Sequence, residues 1–177
     1  MSLENKDLSM TFNYQSPGNP PKHISVTYDE IHAHAKALAK ELEAKGPWKG
    51  VVAVSSGGML PAKIVARNLG IKDIPTCSIT RYDGNKEGDL RIIRMPEIND
   101  KGRGWLIIDE LADKGKTLRL IKKHFPEAHI ATLYVKAEGK DVVDTYLSEV
   151  DQETWMHYPW EDNEPTYLSP QAILKLV

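Results

Sequence analysis

Asp109, Glu110 and Asp113 follow four apolar residues, Trp105, Leu106, Ile107 and Ile108, and precede Lys114, Gly115, Lys116 and Thr117. That order puts carboxylates and a short glycine turn where a buried strand gives way to a helix. In open α/β sheets, ligands bind outside the carboxyl ends of the strands. Successive backbone N–H groups over residues 114–117, with the Thr117 hydroxyl beside them, would make a cradle for a phosphate. Lys114 and Lys116 add local positive charge. Asp109 and Glu110 can hold sugar hydroxyls or a hydrated Mg²⁺, an ion that takes a carboxylate or two plus substrate oxygens rather than a full protein cage. A solvated turn with an acidic helix cap is the plainer reading, but three carboxylates and a glycine turn at the end of an apolar strand favour chemistry.

Two better-known phosphate motifs fail. Gly115, Lys116 and Thr117 match the end of a P-loop, whose first glycine would fall at Glu110, so the residue that turns that loop is missing. No G-x-G-x-x-G follows any expected strand. A different glycine turn, Ser55, Ser56, Gly57 and Gly58, does follow the apolar run Val51, Val52, Ala53 and Val54.

The elements that must position these residues read as βαβ units. Thr27 and Glu30 form a capping-box signature, and Ile31, Ala35, Leu38 and Leu42 recur at helical spacing until Gly46 and Pro47. Residues 51–54 read as a strand buried on both faces, 60–69 as a helix and 74–79 as a second strand, which implies a parallel sheet with right-handed crossovers. Residues 105–108 are the next strand, 118–124 a helix, and 130–135 a strand ending at Lys136. Between them, about residues 81–104 form a long polar connection with a turn at 83–88 and a hairpin strand at 90–95, the pattern of a lid. After Gly139 the alternation is lost. Residues 1–24, broken by Pro17, Gly18, Pro20 and Pro21, read as a flexible arm, leaving 25–177 as a single domain.

Composition narrows the classes. The 177 residues are 41% hydrophobic and 27% charged, ordinary globular usage for one domain. Lys plus Arg number 23 against 25 Asp plus Glu, a balance that leaves no footprint for a nucleic acid polymer or an anionic membrane. Any phosphate site must therefore be local. The single cysteine, Cys77, permits no internal disulfide and suits a reducing compartment. No apolar run approaches a membrane span, and no secretory core opens the chain, so a cytoplasmic protein is expected.

Taken together, Ser55 to Gly58 after a strand, the stretch 105–117, Tyr134-Val135-Lys136, and Glu153-Thr154-Trp155-Met156 with Pro159-Trp160 resemble bacterial xanthine-guanine phosphoribosyltransferases over about residues 27–162. The resemblance implies a type I phosphoribosyltransferase-like α/β fold, a mainly parallel sheet flanked by helices, with a flexible hairpin lid and a small C-terminal hood at about 139–165. It implies transfer of the 5-phosphoribosyl group from phosphoribosyl pyrophosphate (PRPP) to a 6-oxopurine, with Mg²⁺ as cofactor. A homo-oligomer, tetramer or dimer, is implied as well. By the same resemblance, Asp109 and Glu110 face the ribose and the metal. Leu111, Ala112, Asp113, Lys114, Gly115, Lys116 and Thr117 hold the ribose phosphate, and Ser56 and Gly57 hold pyrophosphate. Asp113 is the catalytic carboxylate near purine N7, Lys136 reads the 6-oxo group, Trp155 stacks on the base, and Met156 reads its exocyclic edge.

Departures bear on pyrophosphate. Ser56 stands where the family has arginine, Lys114 and Lys116 alter the Thr-Gly-Gly-Thr end of the phosphate loop, and Gly88 takes the place of a lid arginine, with Arg81 and Arg91 nearby. Lys116 would cost energy if its position needed a positive φ. These changes motivate a second expectation, a regulatory protein that binds purine nucleoside monophosphates without productive PRPP use. Elsewhere, His32 and His34 read as surface residues on different helix faces, Cys77 as a core residue, Trp160 as a core cap, and Tyr82 as either a packing or a lid residue.

Overall fold

A computed structural model describes residues 23–81 and 90–161. Its first helix, α1 (Tyr28–Glu43), starts on the expected capping box: the Glu30 N–H donates to Thr27 Oγ1 (3.2 Å), and the Thr27 N–H donates to Glu30 Oε2 (2.8 Å). Ile31, Ala35, Leu38 and Leu42 are its buried stripe. Thr27→Ala removes one side of that reciprocal pair and is expected to lower stability by about 1 kcal/mol, read as a shift in the urea midpoint at unchanged m-value.

A six-stranded sheet forms the centre. It contains β2 (Gly50–Ser55), β3 (Thr76–Arg81), β4 (Leu90–Arg94), β5 (Trp105–Ala112), β6 (His129–Val135) and β7 (Thr145–Glu149), in the order β4-β3-β2-β5-β6-β7. Every neighbouring pair is parallel except β3 with β4. Helices cover both faces because the central strands are apolar on both: Val51, Leu106 and Ile108 pack in one cluster with α1 and α2 (Met59–Asn68), while Val52, Val54, Ile107 and Ile130 pack in the other with Leu118 and Ile121 of α3 (Lys116–His124). Beside the sheet, β1 (His23–Ser25) pairs in parallel with β8 (Trp155–His157).

Several expectations are revised. β5 does not stop at Ile108 but continues through Ala112, because Asp109, Leu111 and Ala112 stay in register with Thr132, Tyr134 and Val135 of β6. Lys116 is already helical, which extends α3 two residues earlier than its apolar pattern. The second strand begins at Thr76 rather than Ile74. β7 was not expected at all: it is an edge strand whose Tyr146, Leu147 and Ser148 are only half-buried, so its sequence carries little alternation. His23 and Ile24, within the expected arm, belong to β1, while the rest of the arm, Tyr82, Gly88 and the turn at 83–88 lie outside the described residues.

His34 is also not a surface residue. It stands three positions after Ile31 and four before Leu38, at the edge of the buried stripe, where its Nδ1 lies 2.7 Å from the Tyr134 hydroxyl. His32 is exposed and Cys77 fully buried, as expected; burial pushes the Cys77 thiol up to about 11, which keeps it an unreactive core group. Trp160 stacks on Tyr158 with ring centroids 5.0 Å apart. No helix among the described residues is long and apolar enough to cross a membrane.

Candidate active site

The carboxyl ends of β2, β5 and β6 form one rim, which carries Ser56 and Gly57, residues 109–117 and Lys136, while Trp155 and Met156 lie on β8 in the separate two-stranded sheet. After β2, Ser56 is exposed, and the turn closes with Gly58 N–H donating to Val54 O (2.9 Å) and Met59 N–H to Ser56 O (3.2 Å). Gly57 has no side chain because Glu110 occupies the space: a Cβ there would run into the Glu110 carboxylate. Gly58 lies against backbone, and a Cβ would collide with the carbonyl oxygens of Ile108 and Val54. Those oxygens belong to paired strands and cannot swing away. Gly58→Ala is expected to destabilise the fold by about 1–3 kcal/mol and to displace Asp109, whose Cα would be 2.9 Å from the new methyl; thermal unfolding reads the first effect.

Asp109 and Glu110 form an acidic pair at the end of the buried part of β5. Asp109 is buried and its Oδ1 accepts the Glu110 N–H at 3.0 Å. Loss of hydration, followed by the adjacent Glu110 charge, holds the Asp109 carboxyl well above its ordinary range. Glu110 Oε2 is buried with no hydrogen-bond partner among the described residues. An unpartnered buried carboxylate oxygen beside a second carboxylate fits a divalent cation with oxygen preference. No described cluster supplies three or more His, Cys, Asp or Glu ligands, so such an ion would take its remaining ligands from substrate and water.

One turn further, Gly115 adopts a left-handed conformation (φ +67°) just before α3, the one position of the loop where glycine is required. Lys116 is the first helical residue, and among the described residues positive φ values outside glycine occur only at Asp100 and Lys101. The lysine therefore incurs no backbone cost. The loop displays Lys114 and Lys116 to solvent, with Thr117 half-buried. Leu111 and Ala112 serve differently from the rest of the stretch: they carry β5 to the rim, Ala112 inside the core and Leu111 partly buried against it.

Asp113 and Lys136 meet across this rim. Lys136 Nζ lies 3.1 Å from Asp113 Oδ1; the lysine side chain is only 7% exposed and the aspartate 46%. Burial makes such an ammonium depend on its partner, whereas the aspartate opens to a ligand. Gln152 Nε2 donates to the same Oδ1 at 3.1 Å, and among the described residues Asp113 Oδ2 has no partner. Sequence reasoning missed Gln152, which lies 39 positions from Asp113 and outside any local motif. It missed Arg119 as well, whose guanidinium bonds the Lys114 carbonyl (2.6 Å). On β8, Met156 is buried, while Trp155 is 63% exposed, a large aromatic face turned to solvent.

Residues 27–165 match the model of the phosphoribosyl transferase domain. The chain is 42% identical over 149 residues to a xanthine-guanine phosphoribosyltransferase of Nitratidesulfovibrio vulgaris, covering 84% of this chain and 90% of that one. It is 41% identical over 146 residues to the corresponding protein of Cereibacter sphaeroides, covering 79% and 87%. Among solved structures, it superposes on a purine phosphoribosyltransferase from Pyrococcus horikoshii with a TM-score of 0.68 and 27% identity, covering 81% of this chain and 97% of the other. The fold is also that of the xanthine-guanine-hypoxanthine phosphoribosyltransferase of Helicobacter pylori, with a TM-score of 0.68 at 22% identity, covering 88% and 99%. With its six-stranded α/β sheet, acidic strand end and glycine-turned loop, the chain belongs to the phosphoribosyltransferase family.

Proposed function

We propose that the protein transfers the 5-phosphoribosyl group from PRPP to a 6-oxopurine, guanine or xanthine before hypoxanthine, releasing pyrophosphate and the nucleoside 5′-monophosphate. The observation that carries this reading is the Asp113–Lys136 pair at 3.1 Å, standing on the same rim as the glycine-turned loop 114–117. A 6-oxopurine presents a carbonyl and an N7–H side by side. Lys136 Nζ is suited to donate to the first and Asp113 Oδ2 to accept the second.

In the reaction, purine N9 forms a bond to the anomeric carbon as the bond from that carbon to pyrophosphate breaks, the leaving group taking the electron pair. The N7 proton passes to Asp113, a transfer within the reach of a positioned carboxylate. Backbone N–H groups of residues 114–117 and the Thr117 hydroxyl hold the 5-phosphate, while the turn at Ser56 and Gly57 offers backbone donors to the pyrophosphate. Asp109 and Glu110 would hold Mg²⁺ and the ribose hydroxyls. When bound, the cation neutralises charge on the departing pyrophosphate. Trp155 stacks on the base, the Met156 backbone reads its edge, and the lid expected at about 81–104 would exclude water that otherwise competes for the activated sugar. The same reading makes the protein a cytoplasmic homo-oligomer.

The rival reading, a nucleotide binder without PRPP use, draws on Ser56, Lys116 and Gly88; Lys116 is helical, so its share of that argument carries no backbone strain. Calorimetry separates the two readings. PRPP is expected to bind in the presence of Mg²⁺ and to bind more weakly when Mg²⁺ is withdrawn. GMP binding without any PRPP binding would overturn the transferase reading.

A further inference from the structure

Among the described residues, the Arg119 side chain bridges Lys114 of the phosphate loop and the turn following Lys136. It projects from the first turn of α3, and its Nη1 donates to the Lys114 carbonyl (2.6 Å) while Nη2 donates to the Glu138 carbonyl (2.8 Å). Asp141 holds the other edge of the guanidinium, accepting from Nη2 and, at 3.3 Å, from Nε. Lys114 belongs to the anion cradle. Glu138 belongs to the 3₁₀ turn Ala137–Val142, which opens immediately after Lys136.

The same peptide is held from its other side. The Glu138 N–H donates to Gln152 Oε1 at 3.0 Å, and Gln152 in turn donates to Asp113. Both polar groups of residue 138 are thus tied by side chains to the loop, at Lys114 through Arg119 and at Asp113 through Gln152. Gly139 completes the contact, since a Cβ there would stand 2.8 Å from the Asp113 carbonyl oxygen. A planar guanidinium suits this task, because it bonds two carbonyls and a carboxylate at once in a fixed fork.

We propose that Arg119 is a positioning residue that sets the register between the phosphate half and the purine half of the site. Neither half needs it to exist, since Gly115 shapes the cradle and β6 carries Lys136. A ligand that occupies both halves together needs their separation to be fixed in advance. The inference rests on the assignment of residues 114–117 to phosphate and of Lys136 to the base.

The test compares three ligands on the intact protein by calorimetry: GMP, which spans both halves, guanosine, which lacks the phosphate, and ribose 5-phosphate, which lacks the base. In Arg119→Ala, GMP affinity is expected to fall by about 10-fold more than the product of the losses for the two partial ligands. Arg119→Lys keeps the charge but cannot span both carbonyls, so the same excess is expected; it carries the test if the alanine variant does not fold. Asp141→Asn leaves both carbonyl bonds in place and is expected to bind all three ligands within about twofold of the wild type. A general loosening of the fold would lower thermal stability without an excess loss for GMP. A GMP loss equal to the product, in a wild type that binds GMP tightly, overturns the role of Arg119 alone. A wild type that binds GMP no better than guanosine overturns the site assignment and this inference with it.

Discussion

Asp113→Asn is expected to lower kcat by about 10²–10⁴ while GMP affinity stays within about threefold of the wild type. The reason lies in how the side chain is held. Lys136 and Gln152 both address Oδ1, and an amide oxygen at that position still accepts both bonds, the one from the Lys136 ammonium weakened by loss of the carboxylate charge. What changes is the other atom, the open Oδ2, which becomes an NH₂ that donates and cannot take a proton. Geometry survives and proton acceptance is lost, so the effect falls on kcat rather than on ground-state binding. Steady-state turnover together with GMP calorimetry checks both halves of the statement. Unchanged turnover would remove Asp113 from the mechanism, and lost GMP binding would make its role one of architecture.

Lys136→Met is expected to raise the KM for the purine by about 10–100-fold with the KM for PRPP within about threefold. The ammonium is buried, and methionine fills much of the same volume without a donor. The 6-oxo group then loses a charge-assisted bond, and Asp113 keeps only Gln152. In the proposed assignment the sugar phosphate is held by backbone around the left-handed Gly115, so its affinity is expected not to depend on this lysine. Equal losses for the two substrates would instead show that the Asp113–Lys136 pair holds the loop itself in shape.

Much of this was legible along the chain because the signals are local. The capping box at Thr27, the doubly buried run at 51–54 and the apolar strand feeding Asp109 depend on neighbours within a few positions, and the folded chain keeps each of them. The end of β5 was misjudged for an equally physical reason. Polar residues at 109 and 110 look like a strand end by hydropathy, yet backbone pairing with β6 carries the strand on to Ala112. The edge strand β7 buries too little to show a pattern. Whether Lys116 replaces glycine at a cost depends on which residue is left-handed, and that residue is Gly115, one position earlier. Gln152 and Arg119 act on partners that only the fold brings near, Asp113 from 39 residues away and Glu138 from 19 residues away. Nothing in their immediate surroundings marks them.

The most direct measurement is nucleotide formation from PRPP and Mg²⁺ with guanine, xanthine and hypoxanthine supplied separately, following pyrophosphate and nucleoside monophosphate together. Equimolar release of both products with at least one base is the predicted result, and it would also show that the turn at Ser56 holds pyrophosphate without the family's arginine. Folded protein that binds GMP but forms no nucleotide from any of the three bases would contradict the account.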